Sequence, residues 1–158
     1  MIFVTTGTQL PFDRLIRAMD EIAPDLGDEE IIAQAQNDSY VPHSIKVIGY
    51  LSSAEYKDIM SRARLIVSHA GTGTIISALM LKKPIIVMPR YASLGEHRNE
   101  HQSATVKKFE ELQLVYAAYD SKQLQDLVRR DNIKCRKELG SDASDSLIHS
   151  LKNYILDV

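Results

Sequence analysis

The chain has 158 residues, 44% of them hydrophobic and 25% charged, the proportions of a globular domain with enough length to bury a core. A net charge of −2 and a pI near 6.2 offer no footing for a nucleic-acid partner. One cysteine, Cys135, excludes an internal disulfide and a cysteine-based zinc site, and favours a reducing compartment.

The first residues lack a basic region and a long apolar stretch, which predicts no signal peptide. Ile2-Phe3-Val4-Thr5 reads as a buried strand opening into a loop at Gly7. From Pro11, the apolar residues Leu15, Ile16 and Met19 recur at helical spacing and predict a helix to about Ala23-Pro24. Residues 31–35 and 45–48 are strand candidates, separated by the polar stretch Gln36-Asn37-Asp38-Ser39. Ser53-Ala54-Glu55-Tyr56 reads as a capped helix start, with the helix ending near Arg62. Leu65 to Ser68 is the next strand, and helical spacing resumes from Thr72 through Ile75, Ile76, Leu79 and Met80, closed by Lys82-Lys83-Pro84. Residues 85–88 form a further buried strand, but Pro84 to Met88 is far too short to cross a bilayer. A helix through Gln102, Val106, Phe109 and Leu112, a strand over 114–117, and helices over 121–129 and 144–156 complete the series.

Alternating helices and uniformly apolar strands predict an α/β, Rossmann-like, mostly parallel sheet with helices on both faces. No linker or repeat divides the chain, so residues 1–158 read as one domain. Ligands of such sheets sit at the carboxyl ends of the strands. Two loops there are rich in small residues and lead into helices: Thr5-Thr6-Gly7-Thr8-Gln9 and Ser68-His69-Ala70-Gly71-Thr72-Gly73-Thr74. Glycines let backbone N–H groups approach an anion, and a helix start favours negative charge, so two such turns suit a diphosphate. Either loop alone reads equally as a tight strand-to-helix turn, since neither is a Walker A motif nor a full GxGxxG. A third loop, residues 89–102, gathers Arg90, Glu96, His97, Arg98, Asn99, Glu100, His101 and Gln102, groups able to hold phosphate oxygens or sugar hydroxyls, or simply a solvated surface. Ser68 beside His69 suggests a hydrolase pair, but neighbours on a strand point to opposite faces, and no G-x-S-x-G elbow is present. No Asp-x-Asp, HExxH, CxxC or EF-hand pattern occurs, so no bound metal is expected.

Taken together, three segments resemble the glycosyltransferase family 28 C-terminal domain over roughly residues 1 to 120. These are Val4 to Gln9 with Pro11 to Ile16, then Leu65 to Thr74, then Lys83 to Arg90 with Gly95-Glu96-His97 and Asn99 to Gln102. The likeness is greatest to stand-alone members. Those are the catalytic subunits of two-part transferases that extend dolichol-diphosphate glycans or build bacterial capsule and exopolysaccharide. The resemblance implies the C-terminal half of a GT-B glycosyltransferase that binds a UDP-sugar without metal or other cofactor. The acceptor half would be a separate membrane-anchored subunit presenting a lipid-diphosphate-linked acceptor, with this chain cytoplasmic and peripheral at the inner or cytosolic membrane face. Carried over by position, Gly7, Thr8, His69, Gly71, Thr72, Gly73, Thr74 and Ser77 would line the UDP site. Arg90, Glu96, His97, His101 and Gln102 would meet the donor sugar. Relatives commonly carry a ribose-binding carboxylate where Ser77 stands, and serine makes the weaker contact. The general base is expected on the partner subunit, with His69 and His97 as alternatives on this chain. Leu147, Leu151, Tyr154, Ile155 and Val158 share one face of the last predicted helix, which would dock on this domain or reach the partner. Two other readings stay open: a non-catalytic sugar-nucleotide-binding regulator, and a flavodoxin-like phosphate-binding module.

Overall fold

The computed structural model describes residues 1–7, 10–36, 39–98 and 101–137. Apolar runs buried on both sides can only be interior strands, and these assemble into one six-stranded parallel sheet. Its strands are β1 (Ile2–Thr5), β2 (Ile31–Gln34), β3 (Lys46–Ile48), β4 (Leu65–His69), β5 (Ile85–Met88) and β6 (Tyr116–Ala117). They lie in the order β3-β2-β1-β4-β5-β6, each pair parallel. This is the Rossmann-like order, in which the sequence of strand addition reverses between β1 and β4 while all strands stay parallel.

Side chains alternate across the sheet, so each strand feeds two cores. Ile2, Val4, Val67 and Ile86 pack on one face against Leu15, Ile16 and Met19 of α1 (Asp13–Ile22) and Leu124 and Val128 of α5 (Ser121–Val128). Phe3, Ile66, Ile85 and Val87 pack on the other face. Their partners there are Met60 of α2 (Ser53–Arg62), Ile75 and Leu79 of α3 (Thr72–Met80), and Val106 and Phe109 of α4 (His101–Glu111).

Several details differ from the sequence reading. The first helix starts two residues later, at Asp13, and ends at Ile22; Ala23–Leu26, with Pro24, continue as a 3-10 turn. The capping residue of α2 is Ser52, whose hydroxyl accepts from the Glu55 N–H while the Glu55 carboxylate accepts from the Ser52 N–H. Strand β3 is not a buried run: Lys46 and Val47 are exposed, as suits an edge strand, and the lysine blunts the open edge. Leu114 and Val115 are buried but precede the two-residue β6, because the Leu114 N–H closes the end of α4 on the Phe109 carbonyl. The helix read over 144–156 lies outside the described residues, as does Thr8.

Candidate functional site

The carboxyl ends of β1 and β4 lie side by side, so the Gly7 loop and the His69–Gly71 loop face each other across the switch point. Between them stands the imidazole of His69. A Cβ on Gly7 would fall 2.8 Å from His69 Cε1, and one on Gly71 2.7 Å from the same atom. Both glycines are therefore required by the ring they clasp, and Gly7 also adopts a φ of +76°. The small residues read from sequence as room for an anion serve first as room for this histidine. Burial, with Arg90 and His97 nearby, pulls His69 down to about 4, against a hydrogen bond to the Thr5 backbone that favours the charged form. The ring is neutral at physiological pH.

Ser68 and His69 come closer than strand alternation suggests, with Ser68 Oγ 3.5 Å from His69 Nδ1. The hydroxyl donates instead to the His69 carbonyl at 2.9 Å, and Ser68 is fully buried. No attacking group results.

Helix α3 begins at Gly71 with no side-chain cap. Its first turn opens on a cavity of about 450 Å3 lined by Gly7, His69, Gly71, Gly73, Thr74, Arg90, His97 and Gln102, with Thr6 and Leu10. The sequence reading thus assembles eight of its residues around one space. The start of α1 is different. Pro11 and Phe12 displace it from Gly7, and Asp13 stands in its first turn, held by the Ser39 hydroxyl. One helix start, not two, is open to a diphosphate, since the other carries its own carboxylate.

The third loop also departs from expectation. Arg90 is 2% exposed and its guanidinium donates to the carbonyls of Thr6 (2.7 Å) and Leu10 (2.6 Å), stacked over Phe12. It braces the first loop and lends its charge to the cavity wall. The carboxylate of Glu96 is held in an ion pair. Both oxygens accept from Arg14, at 2.7 and 2.8 Å, and one also accepts from the Tyr91 N–H. Gln102 Oε1 accepts from the Arg90 N–H, and the rest of its amide meets the cavity. Thr72, in the first turn of α3, and the exposed His101, at the start of α4, are not in the walls of this cavity or the next.

A second cavity, about 470 Å3, shares Gly7, Gly73 and Thr74 with the first and is lined also by the end of β2, the loop after β3 and the start of α2. Ser77 lines it, but its hydroxyl donates to the Gly73 carbonyl at 2.8 Å. Gln34, Tyr50, Leu51 and Tyr56, which the sequence reading did not select, complete its wall. Tyr56 donates to the Thr74 hydroxyl at 3.2 Å. Gln34 carried one signal, a polar residue ending an apolar strand. Arg14 carried none, because its partner lies 82 positions away.

Residues 1–155 match the family model described as "Glycosyltransferase family 28 C-terminal domain", well beyond the 120 residues of the resemblance read from sequence. The UDP-N-acetylglucosamine transferase subunit ALG13 of Debaryomyces hansenii is 31% identical over 85 residues, covering 49% of this chain and 40% of its own. That of Yarrowia lipolytica is 30% identical over 112 residues, covering 63% and 57%. The chain thus spans about half or less of these relatives' length. Among solved structures, an NMR structure of ALG13 superposes with a TM-score of 0.62 at 22% identity, covering 92% of this chain and 93% of that one. CalG4, the calicheamicin glycosyltransferase, gives 0.58 at 14% identity, covering 94% and 36%. At such identities the structures speak for the fold, a Rossmann-like unit found within glycosyltransferases.

Proposed function

The chain belongs to the glycosyltransferase family 28 C-terminal domain family, and from that membership we propose that it is the donor-binding, catalytic subunit of a two-component inverting glycosyltransferase. It takes a sugar from a UDP-sugar to a lipid-diphosphate-linked acceptor. The observation that carries this reading is the uncapped start of α3 opening, through Gly71, Gly73 and Thr74, on the 450 Å3 cavity with Arg90, His97 and Gln102 opposite. Backbone N–H groups of that turn stabilise the departing diphosphate, with the buried Arg90 charge behind the wall and no metal required. The sugar lies towards His97 and Gln102, and the nucleoside lies in the adjoining 470 Å3 cavity.

In the reaction an acceptor hydroxyl attacks the anomeric carbon, its proton passes to a general base, and UDP leaves from the opposite side. His69 is poorly matched to the role of base, since it is clasped by two glycines and titrates near 4. On this chain His97 is the better placed, and a membrane-anchored partner subunit holds the acceptor and supplies the base. That partner also keeps this chain at the cytosolic membrane face; among the described residues no helix is long and apolar enough to cross a membrane.

UDP titration tests the donor site: at 100 times its dissociation constant UDP adds about 2.7 kcal/mol of stability, read as a rise of a few degrees in Tm. No rise removes the reading. Transfer of labelled sugar by the purified pair to a lipid-diphosphate acceptor tests catalysis. A second reading, a non-catalytic sugar-nucleotide-binding regulator, draws on Ser77, whose hydroxyl is engaged by Gly73 where a ribose-binding carboxylate would serve. UDP binding without transfer selects it.

A further inference from the structure

We infer that Gln34 determines the nucleotide preference of the cleft, its side-chain amide donating to the 4-keto oxygen of the donor's uracil. The inference rests on the proposal that the cleft holds a UDP-sugar. Gln34 ends β2 and is only 6% exposed, yet it lines both the 470 Å3 cavity and a small recess beside Gly49 and Tyr50. Two hydrogen bonds orient it, beside a Tyr56 hydroxyl that also meets Thr5. The Gly7 N–H donates to Thr5 Oγ1 at 3.3 Å, and the Thr5 hydroxyl donates to Gln34 Oε1 at 3.0 Å. With Oε1 held, the Nε2 end is the one left over. It has no hydrogen-bond partner among the described residues and is not one of the side-chain atoms sealed from solvent. An amide oriented in this way turns its hydrogen atoms, rather than its engaged carbonyl, towards whatever enters.

Three features identify the acceptor. The cavity shares its inner rim, Gly7, Gly73 and Thr74, with the space over the start of α3, so it receives the part of the ligand next to the phosphates. Tyr50, 87% exposed, lines it together with Leu51 and Tyr56, aromatic and apolar residue types suited to a base. Gln34 also lines a recess with Gly49 and Tyr50 that Arg90 and His97 do not reach, and the edge of the base farthest from ribose would enter there. That edge carries a keto oxygen in uracil and an amino group in cytosine. An amide donor pairs with the first and leaves the second donor against donor, the kind of mismatch by which polar sites discriminate.

The test is calorimetric titration of the 158-residue chain and its variants with UDP, CDP and deoxyuridine diphosphate. Wild type is expected to prefer UDP over CDP by about tenfold. Gln34→Leu should bring the two to parity. Gln34→Glu, which keeps an acceptor for Thr5, should reverse the order, because its free oxygen accepts from the cytosine amine. The ratio of UDP to deoxyuridine diphosphate should not move in either variant. An unchanged UDP-to-CDP ratio in folded Gln34→Glu overturns the inference while leaving the donor site standing. A collapse of the deoxyuridine ratio overturns it in favour of a ribose contact. Wild type that binds none of the three removes the donor reading and this inference together.

Discussion

The imidazole of His69 fills a slot one ring thick between Gly7 and Gly71, and this placement has an electrostatic consequence. Burial, then the neighbouring Arg90 guanidinium, lowers its proton affinity to about 4, while the unfolded chain takes up that proton near 6.5. The folded-state value is depressed, so the unfolded state binds more protons between those limits. His69 therefore costs no stability above pH 6.5 and progressively more as pH falls to about 4, reaching about 3 kcal/mol at the acid end. Urea unfolding at pH 7, 5.5 and 4 should show the wild-type curve falling towards that of His69→Asn across this window; curves that stay parallel refute it. Asp20 contributes acid sensitivity by another route. Burial opposes its ionisation, but the Tyr40 hydroxyl and the N–H groups of Ser44 and His43 outweigh that and hold its carboxyl below the usual range. At this scale the sequence was half legible. It singled out His69, Gly7 and Gly71 but not their reason for being together, because a ring between two backbones is a contact of tertiary structure. The pairing of Glu96 was hidden for the same reason: its partner Arg14 belongs to α1, 82 positions away, and a free carboxylate and a paired one are the same letter.

Among the elements, α3 bears most of the proposed chemistry, and its first turn has no capping side chain. A Cβ at Gly73 would meet nothing within 4 Å, so a side chain fits there. Gly73→Asp should stabilise the helix, both by replacing glycine and by placing a carboxylate at the positive end of the dipole, by about 1 kcal/mol together. The same carboxylate competes with a diphosphate, so UDP affinity should fall more than tenfold. Higher Tm without lost UDP binding would show that the ligand's phosphates lie elsewhere. The capping box of α2 shows the opposite arrangement: Ser52 and Glu55 satisfy each other's backbone groups and leave nothing for a ligand. Most helices and strands were legible from period and composition, because burial on one stripe or on both sides leaves a pattern in the chain. Their ends were less so. Asp13 rather than Pro11 begins α1, and β6 shrinks to two residues, since sheet pairing and helix closure depend on what lies alongside.

For the molecule as a whole, the parallel sheet and its two covered faces follow from uniformly apolar strands, but the strand order does not. Nothing in the local pattern says that β4 returns to the side of β1 opposite β2, although that choice creates the cleft. The order predicts where the fold is sensitive. Ile66, fully buried on the central β4, should cost about 3 kcal/mol when cut to alanine, whereas Val47→Thr on the edge strand β3 should cost less than about 0.5 kcal/mol. Denaturant midpoints of the two variants check this, and equal losses would contradict the sheet order. The same order divides the cleft's walls by origin. Gln34, Tyr50 and Tyr56 come from residues 34–56, Arg90, His97 and Gln102 from residues 90–102, and the loop after β4 stands between them. On the proposed donor assignment, a lineage that exchanges residues 89–102 by recombination would acquire a new sugar while inheriting its nucleotide unchanged, and swapping the earlier segment would do the reverse.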